Sequence, residues 1–461
     1  MLNQRYICQV CAADERYKNT CNIALIPIFS LPFQEIFLSL PLKHEMTKLL
    51  GAMAHRRLMI LTALLLTVLA IQAQQVVSGV VRDRQTGEAL GNVSIMAEGS
   101  EAHTVTNDEG RFTLKVKNSP KYIQLSHIGY KTRRHQLSGQ TEGLQILMTN
   151  HAVTLDEVIV LSKDPLEIVL AAMKRIPSNY PSQPELTNCF YREVTRRGSR
   201  YIAVAEAVME MYKSSYIHGP EYDAIGILKG RRLMSMKAKD TLGVKIQGGP
   251  VMPLMADVAK NPDYMLNEQD LSQCALYMEM PVRIDSRLHY VIRVEPMAVS
   301  VYPLMGGLLY IDQESLTITR AELQLDMRDW RRASEYMLVK KPIGLRFRPK
   351  QLTMTIAYTT DEQGVSRISY LRNEMRFNCD WKRRLFASTY ATVSEMVVTE
   401  RVVIGPDAKR PKGRSSFGLR DRFYDRVEYF DDPDFWADYN IIEPTESLEH
   451  AISKLKKKLK K

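Results

Sequence analysis

The stretch QLTMTIAY, residues 351–358, places Leu352, Met354, Ile356 and Tyr358 at every second position, with Thr353 and Thr355 between them. Successive side chains of an extended chain point to opposite faces, so this period of two predicts a strand with one apolar face. A helix would repeat its apolar residues every three or four positions. The same period runs outward in both directions. AELQLDM (321–327) sets Ala321, Leu323, Leu325 and Met327 on one side, and RISYLRNEMRFN (367–378) and YATVSEMVVTERVVI (390–404) continue in kind. Turn-forming residues interrupt the runs at Asp312-Gln313-Glu314-Ser315, Lys341-Pro342-Ile343-Gly344 and Asp361-Glu362-Gln363-Gly364. The expectation is an antiparallel unit of ten or so strands over residues 165–440, dry on one face. A sheet of that length must curl, close or be covered.

At 461 residues the chain exceeds one typical core, which predicts two folded units plus unstructured ends. Its composition, 45% hydrophobic and 25% charged, is that of an ordinary globular protein. The formal charge of +11 is concentrated at one end, because Lys454, Lys456, Lys457, Lys458, Lys460 and Lys461 all fall within residues 454–461. No basic face interleaved with stacking aromatics is legible, which argues against a nucleic-acid partner.

Residues 56–73, RRLMILTALLLTVLAIQA, have a basic start, an apolar core and a small residue at Ala73. That is the anatomy of a signal peptide, expected over residues 46–73 with cleavage before Gln74. Residues 1–45 are expected to be an over-extended start. Cys8-x-x-Cys11 resembles half a zinc or redox site, but no second pair follows at ligand spacing. Cys189, Cys274 and Cys379 are widely separated in strand-like flanks and are expected to be small buried hydrophobes.

Residues 75–150 read as short strands with turn signals every 8–12 residues and no helical period, the pattern of a small β-sandwich. VVSGVVRD, NVSIMAEG, HTVTNDEGRFTLKV (a hairpin on this reading) and KYIQLSHIGYKTRRHQL supply the strands. SGVVRDRQTGEALGNVSIMAEGS, the T-N-x-x-G-x-F stretch and the late I-G-Y of this region resemble the carboxypeptidase regulatory-like domain. That resemblance implies a seven-stranded, transthyretin-like sandwich. Asn107-Asp108-Glu109-Gly110 is read as a tight corner closed by Gly110 rather than a cation site. A calcium loop needs alternating oxygen ligands over about a dozen residues, and Arg111 intervenes here.

The domain's name invites a search for a zinc peptidase. His218-Gly219-Pro220-Glu221 with His289 has the outline of a His-x-x-Glu plus distant His ligand set. Gly-Pro between the first two disfavours a shared ion, and in the peptidases the sandwich follows the catalytic domain, whereas here it leads. These three residues are weak metal candidates, and neither a catalytic residue nor a cofactor is expected. No G-x-S-x-G, P-loop or G-x-G-x-x-G opening a helix is present.

VTLDEVIVLS (153–162) resembles the L-x-E-V-x-V that follows such sandwiches in Bacteroidetes envelope proteins and TonB-dependent receptors, and residues 151–164 are read as a linker strand. Asp164-Pro165 opens a helix with Leu166, Val169, Leu170 and Met173 on one face. GGLLYIDQESLTITRAELQLDM (306–327) resembles the strand–turn–strand of lipoprotein-carrier half-barrels, which implies a curved sheet with an apolar binding face. GGPVMPLMADVAKNPDYML (248–266) is read as core filler, with a mobile cover as the alternative. FYDRVEYFDDPDFWADYNIIEP (423–444) is read as a docking strap anchored by Phe435, Trp436 and Tyr439. Residues 441–461 form a basic amphipathic helix, capped by Thr445. Its stripe of Leu448, Ile452, Leu455 and Leu459 should pack on its own domain, with peripheral membrane contact through the lysines as the alternative.

The expected whole is a mostly β protein: a seven-stranded sandwich followed by a larger antiparallel, half-barrel-like sheet with a few helices. The expected role is that of an exported, non-catalytic envelope binding or assembly protein. Its partner would be an envelope protein, a glycan or a lipid. A zinc hydrolase and an outer-membrane-barrel-associated, TonB-receptor-related component are the alternatives.

Overall fold

The computed structural model describes residues 74–461 apart from 118, 152–162, 238–242, 247, 263–265, 298–299, 382–386, 414–415, 419–420, 422, 430–435, 437–438 and 460–461. The predicted over-extended start, the signal peptide, Cys8, Cys11, most of the linker strand and Phe435 lie outside the described residues.

The chain is mostly β, as its period of two predicts. Seven strands build the sandwich: β1 (Gln75–Asp83), β2 (Ser94–Ala97), β3 (His103–Val105), β4 (Arg111–Val116), β5 (Tyr122–Ser126), β6 (Arg133–Gln136) and β7 (Leu144–Met148). They form two sheets, ordered β4-β1-β7 and β3-β2-β5-β6. Val77, Val81, Ile95, Phe112, Leu114 and Ile146 fill the space between them and are almost wholly buried. β1 lies parallel to β7, and at Gly79 a Cβ would come within 2.4 Å of the Leu144 carbonyl oxygen. Only glycine admits that approach.

One local expectation is corrected. HTVTNDEGRFTLKV is not a hairpin, because β3 pairs with β2 while β4 pairs with β1. Asn107–Gly110 is instead a corner at which the chain changes sheets. Asn107 closes it by accepting the Glu109 and Arg111 amides on Oδ1, at 2.9 and 3.0 Å. Gly110 sits at φ +73°, where an added Cβ would strike the Val81 carbonyl.

Among the described residues the larger sheet has eleven strands. β8 (Glu185–Arg197), β9 (Arg200–Lys213) and β10 (Ala224–Met234) run from its middle to one end. The chain then crosses to the far edge at β12 (Cys274–Ile284). It returns through β13 (Arg287–Pro296), β14 (Met305–Asp312), β15 (Ile318–Leu325), β17 (Leu345–Thr360), β18 (Ser366–Trp381) and β19 (Ser388–Ile404) to pair with β8. β20 (Glu428–Tyr429) adds a short parallel strand beyond β10, and β11 (Lys245–Ile246) pairs with β16 (Leu338–Lys340) apart from the sheet. Two expected turns are built by aspartates: Asp312 Oδ1 accepts the Ser315 amide at 2.8 Å and Asp361 Oδ1 the Val365 amide at 2.9 Å.

The sheet is covered on both faces in its middle, where alternation alone predicts one dry face. The first face carries the main core, including Cys189, Tyr191, Met209, Leu352, Met354 and Ile356. The helix Pro165–Asn179 and the crossing segment that holds Val251, Met252, Leu254 and Val258 lie on it. The helix buries Ile168, Val169, Ala172 and Ile176, while Leu166 and Met173 are only partly buried, so its inward stripe is rotated from the predicted one. Pro177 lies in its last turn. Met252 of the crossing segment is in the core and Met255 is partly buried against it, while Met265 lies outside the described residues. On the second face, Phe190, Val208, Tyr370 and Val397 pack against Val105 of the sandwich and Trp436 and Ile442 of the strap. Farther along that face Val194, Val204 and Leu233 receive Leu448 and Leu455 of the helix Glu446–Leu459, with Ile452 partly buried beside them. This apolar stripe thus packs on its own domain.

Candidate functional site

The acidic corner and the strap together join the sandwich to the second face of the sheet. Asp108 pairs with Arg372 at 3.3 Å, and Arg372 also holds Glu395 at 2.8 Å. The Asn107 amide donates to the Pro444 carbonyl at 3.1 Å, and both Glu109 carboxylate oxygens accept the Glu446 amide at 3.0 Å. That last contact sets an anion at the N-terminus of the final helix, where unpaired N–H groups favour it. Asn440 accepts the Lys115 amide at 2.6 Å and donates to the Lys115 carbonyl at 3.0 Å, extending β4 as a partner strand would.

Trp436 anchors the strap. It is 6% exposed and meets the Phe190 ring edge-on at 5.6 Å. Its indole N–H donates to Glu206 at 3.3 Å, and the Arg231 guanidinium lies 4.8 Å from its ring centre. Glu206 is buried between Arg192 and Arg231, each at 2.8 Å; these cations hold its carboxyl below the usual range although burial opposes it. Tyr439 is partly buried in the same cluster.

Beside this junction the two sheets diverge. The outward face of β2, β5 and β6 and the ends of β8, β9, β17, β18 and β19 enclose a cleft of about 530 Å³, with a second lobe of about 260 Å³. Both lobes are lined by Met96, His103, Gln124, Thr359, Thr360 and Ser369. His103 ties the walls together, with Nδ1 2.9 Å from the Val398 carbonyl and Nε2 2.9 Å from Ser94 Oγ. Burial lowers its pKa and so favours the neutral ring.

The cations that line the larger lobe, Arg134, Lys213, Arg367 and Arg401, are each paired with a carboxylate. Arg134 holds Glu98 at 2.7 Å and lies 3.6 Å above the Tyr122 ring centre. Arg401 holds Glu101 at 2.7 Å, and Arg367 holds Glu185 at 2.8 Å together with Asp361. At the floor, Lys213 pairs with Asp257 at 2.7 Å and Asp223 at 2.8 Å. Asp223 in turn pairs with the fully buried Lys260 at 2.7 Å, and Tyr216 and Tyr358 donate to Asp257 at 2.7 and 2.8 Å. Burial, reinforced by the neighbouring Lys213 charge, pushes Lys260 down to about 8. The two lysines hold Asp223 below the ordinary carboxylate range despite its burial. Two cations and two anions thus balance in a nearly waterless place.

The weak metal candidates are not brought together. His218 and Glu221 are exposed around the single turn Pro220–Tyr222. His289 is buried in β13, with Nδ1 2.9 Å from the Arg287 carbonyl and Nε2 4.0 Å from Asp312. Among the described residues no group of three His, Cys, Asp or Glu is placed to hold a metal ion. Cys189, Cys274 and Cys379 are buried free thiols, and burial raises the first and third to about 12.

Residues 77–160 match the model of the CarboxypepD_reg-like domain family, which supports the resemblance for this domain. The TonB-dependent receptor SusC of Bacteroides thetaiotaomicron is 29% identical over 104 residues, which are 23% of this chain and 10% of SusC. The chain therefore spans about a tenth of the length of that curated relative. Among solved structures, a DUF1329 family protein from Desulfovibrio piger is similar over 54% of this chain and 96% of its own, at 12% identity and a TM-score of 0.22. A putative outer membrane lipoprotein-sorting protein domain from Vibrio parahaemolyticus is similar over 53% and 94%, at 10% identity and a TM-score of 0.23. With TM-scores this low, the architecture rests on the pairing of this chain's own strands.

Proposed function

We propose that this chain is a non-catalytic binding or assembly protein of the cell envelope, exported to the periplasm or the outer membrane, and that its ligand sits in the cleft between sandwich and sheet. The cleft carries the reading. Its walls come from two separately cored units that corner and strap hold together, so the space between them is pre-formed, as small-ligand sites usually are. The signal-like stretch at 56–73 and the local similarity to a TonB-dependent receptor support the envelope assignment.

The test is a thermal shift of the purified chain against lipid, carbohydrate and protein fractions of an envelope extract. Met96→Trp and Gln124→Trp fill the cleft from the sandwich side, and comparing their unliganded melting temperatures with wild type checks that they fold. A fraction that raises the wild-type midpoint but neither variant's supports the reading. No active fraction, or an undiminished shift in both variants, overturns it.

A further inference from the structure

We infer that the cleft takes an uncharged, hydroxyl-rich chain: a neutral oligosaccharide. The inference rests on the cleft being the binding site and names what it binds. Its first support is charge balance. Arg134, Arg367 and Lys213 each have a carboxylate partner on their own side of the cleft, and Arg401 of the sheet pairs with Glu101 of the sandwich. An anionic ligand would have to displace one of these carboxylates, which is costly at Arg367–Glu185 and Lys213–Asp257, where both side chains are largely buried. A neutral ligand leaves every pair intact and still meets the spare lone pairs of the carboxylates, which accept more than one hydrogen bond each.

The second support comes from the smaller lobe. His127 Nδ1 and Asp285 Oδ1, both lining it, are buried atoms with no hydrogen-bond partner among the described residues. Burial, and then the nearby Arg320, push His127 down to about 4, so its ring is neutral at ordinary pH. A hydroxyl donates and accepts at once, so hydroxyls can satisfy both atoms without bringing in charge. A buried polar atom left unpaired costs about 1–3 kcal/mol, so such atoms select ligands that complete them.

The third support is the mixture of surfaces. Met96 and Val398, both partly exposed, put apolar surface beside the amides of Gln124 and Gln363. A sugar ring has an apolar C–H face and a hydroxyl rim, and it matches such a wall in both respects.

The experiment is calorimetric titration of the whole chain with three probes: neutral hexasaccharides of glucose, mannose and N-acetylglucosamine, the anionic hexagalacturonate, and a pool of uncharged decapeptides. At least one neutral hexasaccharide should bind, Gln124→Trp and His127→Phe should each weaken it tenfold or more, and hexagalacturonate should give no heat. Binding of hexagalacturonate as tightly as the neutral sugars overturns the inference. So does peptide binding lost in Gln124→Trp, although that outcome leaves the cleft itself as the site. If no hexasaccharide binds while an envelope fraction still shifts wild type but not the filled variants, the glycan inference fails alone. If nothing binds and no fraction shifts, both readings fail.

Discussion

Replacing Trp436 with alanine should loosen the join between sandwich and sheet without unfolding either. Trp436 is 6% exposed and lies in one cluster with Phe190, Val208 and Val397 of the sheet and Val105 of the sandwich. Large-to-small substitution of a buried Trp costs about 3–5 kcal/mol. The Glu206 carboxylate keeps both arginines, so no buried charge is orphaned and the cost should not exceed that range. If residues 72–461 melt as one unit, about 2.1 cal/mol/K per residue makes 1 kcal/mol worth about 1 °C, and the midpoint should fall by about 4–6 °C. If the sandwich comes free first, the single transition should split in two. Hydrogen exchange locates the effect: the Lys115 and Glu446 amides, bonded across the junction to Asn440 and Glu109, should lose protection. Amides of β17 and β18 should not. Trp436→Phe keeps a ring against Phe190 and should cost less than the alanine change, the lost indole hydrogen bond accounting for about 1 kcal/mol. An alanine variant that melts within 1 °C of wild type with those two amides still protected would refute the idea that the strap clamps the molecule.

Three further outcomes follow from single contacts. Asp257→Asn leaves Lys213 and Lys260 sharing one carboxylate and should cost about 3–5 kcal/mol in urea unfolding, against about 1 kcal/mol for Tyr358→Phe; equal costs would show that the charge balance is immaterial. Burial raises Glu193 to about 7 against a model-compound 4.5, so the folded state binds the proton more tightly, and stability from this group is present below pH 4.5 and lost as pH rises to 7. Glu193→Gln should therefore gain about 3 kcal/mol over wild type at pH 8 and nothing at pH 4, and a pH-independent difference would contradict the assignment. Gly110→Ala forces a side chain at φ +73° into the Val81 carbonyl and should destabilise the chain by about 2 kcal/mol or more, read as a lowered melting midpoint, whereas Gly87→Ala, at φ +72° in open space, should cost only the left-handed backbone term of about 1–2 kcal/mol.

What the sequence reveals divides by range. QLTMTIAY is legible as a strand because the period of two is local, and Trp436 and Tyr439 are legible as anchors because aromatics in an acidic, turn-rich stretch have few other uses. The corner at Asn107–Gly110 is misread as a hairpin for the same reason. A tight turn looks alike whether the strands it joins pair together or enter different sheets, and the choice depends on β1 and β2, far away in sequence. The cleft is illegible because its residues, from Met96 to Arg401, are the outward positions of strands, and an outward residue facing another sheet is written like one facing water. The floor did leave a trace. Asp257 and Lys260 stand in an otherwise apolar stretch, and a charged pair there signals burial with partners, here Lys213 and Asp223. The spacing of His218, Glu221 and His289 misled because spacing specifies a ligand set only when the backbone between the ligands is known.

The covering of the sheet decides where a ligand can be received. The first face, which the half-barrel resemblance marks as the binding surface, is occupied in its middle by this chain's own helix and crossing segment, with Val251, Leu254 and Val258 buried on it. A ligand taking that place would have to expel well-packed apolar side chains at about 25 cal/mol per Å² of surface returned to water, and Asp257 and Lys260 with them. The second face needs no such displacement, because its space is already open beside the sandwich. On the proposed function the sandwich supplies half of the site rather than being an appended module. Its corner residues Asn107, Asp108 and Glu109 would then act by holding that half in place, since their side-chain oxygens and amide are spent on Arg372, Pro444, Glu446 and the corner's own backbone.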